Sequence, residues 1–277
     1  MACPEWTLEH VATAAAEHAF VGVGLRTFGH GASQMACDPA LTDAGKVGTI
    51  FRRAGVTIAG LATGARLDAP VFPPVIGDLR IFNPHKALEE SKHYVDLCRD
   101  LGAHSVRVFG FRFGPRERRP VATRRIADRL SRLCDHARNK DVFIHIENGG
   151  SFPHASDLAD LVERVDSPLL RASYDVAVGA AVGDDPAEAV KLLGDRMAVL
   201  RLSDLRGDEP APLGRGEVPC RAAVEAAARL DLDAWLVYTW PRLWMPELPG
   251  PADMLGGVSR LLYQWAALHG AAGDSAA

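Results

Sequence analysis

Seven short apolar runs alternate with stretches of helical periodicity along the whole chain, with no linker that would divide it. A sustained strand–helix rhythm restricts a chain to a parallel sheet covered by helices. Strands are predicted over 20–26, 56–62, 105–110, 142–147, 170–175, 197–204 and 235–240. Helices are predicted over 8–18, 38–54, 84–101, 123–139, 155–165, 186–193, 221–230 and 251–269, with Thr7 as an N-cap and Pro84 in a first turn. The length of 277 residues matches a closed α/β barrel of roughly 250 residues. The first strand is the missing piece: the chain opens with a helix, and only residues 1–6, broken by Pro4, remain to form it. The barrel therefore has either a stub or a gap there. If the strand is absent, the open edge exposes unpaired backbone groups, and a homodimer covering it is expected. Residues 67–84 read as a long loop and 271–277 as a frayed tail.

The most informative run is Val142-Phe143-Ile144-His145-Ile146-Glu147-Asn148-Gly149-Gly150. Near-continuous apolar character suits a parallel strand buried on both faces. Its closing Glu stands at the carboxyl end of a strand, where α/β barrels place their chemistry. Side chains alternate, so His145 and Glu147 share a face. Either Glu147 carries chemistry or it caps the next turn, and His145 is either a base or a core histidine.

A formal net charge of -4 gives no electrostatic reason to expect nucleic acid. No apolar run approaches the ~18 residues of a membrane span, and no signal segment is visible, so a cytoplasmic protein is expected. Five scattered cysteines without ligand spacing read as reduced thiols. The GxG at Gly22–Gly24 lacks the third glycine of a dinucleotide motif. Arg112, Arg116, Arg118 and Arg119 crowd one segment and read as a solvated loop, while Asp204 and Arg206 are expected to pair with nearby loops. Arg107 either ties strands together or binds an anion. Trp240 and Trp244 form either a pocket wall or core packing.

The motif His145-Ile146-Glu147-Asn148-Gly149-Gly150 resembles the fifth strand of the xylose isomerase-like TIM barrels, the sugar phosphate isomerases and epimerases. Gly22-Val23-Gly24-Leu25-Arg26 is similar to their second strand, with Gly24 where an acidic residue is usual. Ser173-Tyr174-Asp175 resembles the sixth, Leu202-Ser203-Asp204 the seventh and Trp235-Leu236-Val237 the eighth. The resemblance implies a TIM (β/α)8-type barrel whose first strand is short or missing, and sugar isomerase or epimerase activity. It also implies a divalent metal held by Glu, Asp, His and Glu. Carried over, Glu147 and Asp175 match the first two ligands, but the third falls on Arg201, the fourth on Thr239, and a further histidine position on Val178. A guanidinium has no lone pair for a metal. Arg201 is therefore expected in the metal's place between Glu147 and Asp175, and no cofactor is expected; the disfavoured alternative is a divalent metal on Glu147 and Asp175 whose shell is completed by water, substrate oxygens or another residue.

Two readings follow. In one, the barrel is a metal-free enzyme in which Glu147 or His145 moves a proton, Arg201 stabilises the enolate oxygen, and Asp175, Arg107, Trp240 and Thr239 meet the substrate. In the other it is catalytically retired and binds a small molecule or a partner. Phosphodiester cleavage of damaged DNA on the same barrel would need a multi-metal cluster and a basic face, and the sequence has neither.

Overall fold

The computed structural model describes residues 1–29, 31–68, 84–110, 112–113 and 117–267. Seven parallel strands follow one another around a nearly closed barrel: β1 (Gly22–Arg26), β2 (Thr57–Arg66), β3 (Ser105–Phe109), β4 (Phe143–Glu147), β5 (Leu170–Asp175), β6 (Met197–Leu202) and β9 (Trp235–Tyr238). Between β6 and β9 stand two short strands, β7 (Asp204–Arg206) and β8 (Glu209–Ala211), paired as an antiparallel hairpin. Every neighbouring pair in the large sheet is parallel.

The helices are α1 (Leu8–Glu17), α2 (Ala44–Ala54), α3 (Pro84–Leu101), α4 (Arg119–Ala137), α5 (Ala155–Val165), α6 (Val176–Ala181), α7 (Pro186–Leu193), α8 (Cys220–Arg229) and α9 (Pro251–Ala267). Thr7 does cap α1, its hydroxyl accepting from His10 N at 3.3 Å. The helix expected over 38–54 is split. Asp38 caps a short 3-10 turn, and Asp43 caps α2 through Lys46 N. Each Asp accepts a backbone N–H that a continuous helix would leave to its own carbonyls. Helix α4 begins at Arg119, four residues before position 123, because Pro120 supplies the fixed φ of a first turn. Of the loop expected over 67–84, residues 69–83 lie outside the described residues, as do Arg116 and the tail expected over 271–277. Among the described residues, no helix is long and apolar enough to cross a membrane.

Side-chain alternation divides the strands. Val106, Val108, Ile144, Ile146, Tyr174 and Leu200 are fully buried against the helices. Their alternates, Arg107, His145, Glu147, Ser173 and Arg201, face the lumen, which is therefore polar where a TIM barrel is usually filled by aliphatic layers. The buried surfaces of Leu130, Leu133 and Leu158 belong to the helix layer outside.

Among the described residues no strand lies over 1–6, and β1 and β9 are the two edges of the sheet. The helix ring nonetheless closes behind this seam. Tyr263 Oη on α9 donates to Ala19 O after α1 at 2.9 Å, and a Cβ at Gly256 would stand 3.2 Å from His18 Nδ1. An open strand ring inside a closed helix ring leaves an interior slot.

Candidate functional site

Glu147 ends β4 because the next residues cannot continue a strand: Gly149 has φ 153° and Gly150 φ 57°, the latter in the left-handed region. Asn148, only 1% exposed, pins this turn to the end of β5. Its Oδ1 accepts from Asp175 N at 2.6 Å, and its Nδ2 donates to Pro153 O at 3.0 Å and Asp175 O at 3.2 Å. The separation of Glu147 and Asp175 is thus set by an amide between them. The motif Glu-Asn-Gly-Gly contains this residue, but its role depends on the neighbouring strand and is not legible from spacing.

Glu147 is the hub of a buried charge network. Arg107 Nη1 donates to its Oε2 at 3.1 Å and Oε1 at 3.4 Å, Arg201 Nη1 to Oε2 at 3.1 Å, and Ser173 Oγ to Oε2 at 3.4 Å. Arg201 Nε also lies 3.3 Å from Asp175 Oδ2, an ion-pair distance without an in-line hydrogen bond. Arg201 therefore spans the two carboxylates, as the residue pattern implies. The direct pairing of Arg107 with Glu147 is the addition made by the structure. Arg107 is held from below by the Phe109 ring, 4.6 Å from its guanidinium carbon, and its carbonyl accepts from Thr63 Oγ1 at 2.8 Å.

The other sequence candidates are placed differently. Asp175 divides its carboxylate: Oδ1 caps α6, accepting from Ala177 N at 3.1 Å and Val178 N at 3.4 Å, while Oδ2 faces Arg201. His145 is 5% exposed, and its Nε2 has no hydrogen-bond partner among the described residues, so it stands apart from the Glu147 network. Trp240 is 2% exposed; its indole N–H donates to Pro249 O at 3.1 Å and its ring stacks on Tyr238. Thr239 ties β9's end to β6 through its N–H to Leu202 O at 2.8 Å, and it borders the slot. Trp244 is exposed.

Arg112, Arg118 and Arg119 are exposed, as a solvated segment requires, but Arg119 opens α4 and is not without partners. Its guanidinium pairs with Asp157, donates to Ser151 O at 3.2 Å and lies over Phe113 and Phe152, so it fixes the loop after β4 to α5. The expectation for Asp204 and Arg206 is met more fully than spacing could show. Asp204, 3% exposed, accepts four backbone N–H groups, and Arg206 Nη2 donates to Arg215 O at 2.7 Å.

Burial governs the ionisation of the site. It pushes the Glu147 carboxyl up to about 7, with Arg107 pulling down and Asp175 pushing further up. Burial likewise raises Asp175 against the N–H groups of Val178 and Ala177. It holds His145 down at about 3, aided by Arg107 and Arg171. Stability responds to the two extreme groups in opposite directions. A carboxyl raised from 4.5 to about 7 binds a proton in the folded chain first, so Glu147 adds stability as pH falls from 7 to 4.5. An imidazole lowered from 6.5 to about 3 is protonated first in the unfolded chain, so His145 removes stability as pH falls from 6.5 to 3. Urea unfolding is therefore expected to be nearly flat between pH 6.5 and 4.5 and to weaken steeply below. A His145→Gln variant, which cannot titrate, should gain stability across the flat window and lose part of the acid limb, at up to about 1.4 kcal/mol per pH unit. Parallel curves for the two proteins would contradict this placement of His145.

Residues 12–261 match the family described as xylose isomerase-like TIM barrel. Solved structures with the same architecture include an L-ribulose 3-epimerase, 14% identical with a TM-score of 0.77 over 96% of this chain and 91% of that one. A D-allulose 3-epimerase from Methylomonas sp. is 16% identical with a TM-score of 0.74, over 95% and 94% of the two chains. A D-psicose 3-epimerase from Clostridium cellulolyticum, solved with D-tagatose, is 13% identical with a TM-score of 0.71, over 96% and 94%. At such identities the likeness is one of fold. No curated protein matches the sequence.

Proposed function

The chain belongs to the xylose isomerase-like TIM barrel family, and from that premise we propose that it is a sugar isomerase- or epimerase-like enzyme that moves a proton next to a carbonyl without a divalent metal. The observation that carries this reading is Arg201 spanning Glu147 and Asp175. The donor set supports it: among the described residues no group of three His, Cys, Asp or Glu side chains could hold an ion, and the two carboxylates are already neutralised by guanidinium groups. A divalent ion placed there would displace or repel a permanent cation.

In this reading Glu147 takes a proton from the carbon beside a substrate carbonyl, and the negative charge that develops on the oxygen is met by the Arg201 N–H groups. Reprotonation of that carbon from its opposite face, by solvent, epimerises it. Delivery of the proton to the former carbonyl carbon, with the hydroxyl proton passing between the two oxygens, isomerises the substrate. Arg107 holds the carboxylate in place throughout, and Thr239 borders the space where substrate would sit. A small polyhydroxy ketone is the expected substrate class. The test is solvent exchange: wild-type protein, treated with a chelator and incubated with ketopentoses and ketohexoses in heavy water, incorporates deuterium beside the carbonyl. The rate should rise with pH and level off above about 7, as Glu147 loses its proton. Exchange that appears only on adding a divalent ion would reject the metal-free mechanism.

One observation favours a second reading, that of a retired barrel which only binds. Glu147 is 7% exposed, and both of its oxygens are engaged by Arg107, Arg201 and Ser173. A barrel of this kind would show no exchange with any ketose.

A further inference from the structure

The missing strand leaves a cavity of about 230 Å³ along the β1–β9 seam. For comparison, an engineered apolar cavity of roughly 150 Å³ stays dry and takes up benzene. Its back wall is the helix surface on which a strand would have packed: Val11 and Ala15 of α1 and Leu255 of α9. Trp235 and Val237 of β9 line one side. On the opposite side stands Gly24, where a Cβ would meet no atom within 4 Å, so the space exists because this strand position carries no side chain. One end of this apolar slot is cationic, formed by Arg26 and Arg201.

Arg201 is engaged by Glu147 and Asp175, but Arg26 is not matched by an acid. Among the described residues no carboxylate lies within ion-pair distance of it, and its buried Nε has no hydrogen-bond partner. Its contacts are the Met1 Sδ at 3.6 Å and the Phe28 and Trp244 rings. The acids nearest in effect are already occupied: Glu147 by Arg107 and Arg201, and Asp38 by the N–H groups of Phe28 and Ala40. Arg26, Arg107 and Arg201 thus share Glu147, Asp175 and, from beyond ion-pair distance, Asp38, and of the three guanidinium groups Arg26 alone has no carboxylate in direct contact among the described residues. A half-buried guanidinium with a free N–H and apolar surroundings calls for an anion.

We propose that the seam is a binding slot for a small organic carboxylate, its charged end on Arg26 and its apolar body in the space of the absent strand. This goes beyond the catalytic reading, since binding there requires no proton transfer at Glu147.

The probe is 3-phenylpropionate, followed by tryptophan fluorescence, since Trp235 and Trp240 line the slot. The acid is expected to bind in the sub-millimolar range, and its neutral amide and acetate at least about tenfold more weakly. Gly24→Leu, which fills the slot, and Arg26→Met, which removes its charge, should each weaken the acid at least about tenfold, with circular dichroism confirming that each variant is folded. The acid–amide comparison on unmodified protein decides the matter should either variant fail to fold. Equal affinity for acid and amide, or unchanged binding in folded Gly24→Leu, overturns the proposal. A failed ketose exchange leaves this result untouched, so the two readings fail separately.

Discussion

Glu147→Gln is expected to lower the rate of substrate proton exchange by about 10³-fold, within the range that a positioned general base contributes. The amide keeps the shape of the carboxylate and one acceptor oxygen, so an Arg107 or Arg201 contact survives. Its NH2 group, however, must face a guanidinium donor, and a stability loss of about 1–3 kcal/mol accompanies the loss of rate. Glu147→Leu separates the two effects further. It leaves Arg107, 5% exposed, without its carboxylate, and breaking a buried pair in this way costs about 3–5 kcal/mol. The measurements are deuterium exchange by NMR and urea unfolding of the same preparations. An enzyme loses exchange in both variants, whereas a retired barrel loses stability alone. Full exchange in folded Glu147→Gln would remove Glu147 from the chemistry.

Asp204→Ala is expected to cost about 3–5 kcal/mol, a fall in midpoint on the order of 10 °C. Oδ1 accepts from Leu205 N at 3.0 Å and Val218 N at 3.1 Å, and Oδ2 from Gly214 N and Gly216 N, both at 2.9 Å. One buried carboxylate therefore gathers the loop from β8 to α8. Because each oxygen meets two N–H groups, an amide nitrogen in either position would face two donors. Asp204→Asn should accordingly rescue little of the loss. A midpoint within about 2 °C of wild type in the Ala variant would show that water satisfies these N–H groups and that the loop is held by other contacts.

Much of the fold is legible without coordinates. The helix predicted over 186–193 is found at those bounds, and the structure adds Asp185 as its cap, accepting from Ala187 N and Glu188 N. The strand over Leu170–Asp175 is found at its expected bounds, because an apolar run between turn residues carries its own limits. Helix α6 and the β7–β8 hairpin are not legible. A six-residue helix and three-residue strands are too short to show a period, and α6 starts where it does only because Asp175 caps it. The site divides in the same way. Arg201 between Glu147 and Asp175 follows from substitution at family positions, since a fixed cation among buried acids has few other places to go. Asn148 between two strand ends, Arg107 on Glu147 and the isolation of His145 do not follow, because each depends on what the neighbouring strand presents at the same level.

What the sequence by itself determined is the order of strands and helices and the shared face of His145 and Glu147. Those are properties of local period and composition, which each segment carries alone. Only the tertiary structure decided that the helices close behind the open seam, that Gly24 leaves the space empty and that Arg26 stands there without an acid. The reason is geometric: a cavity and an unmatched charge are defined by what surrounds them, and those surroundings come from β1, β9, α1 and α9, more than 200 residues apart in the chain.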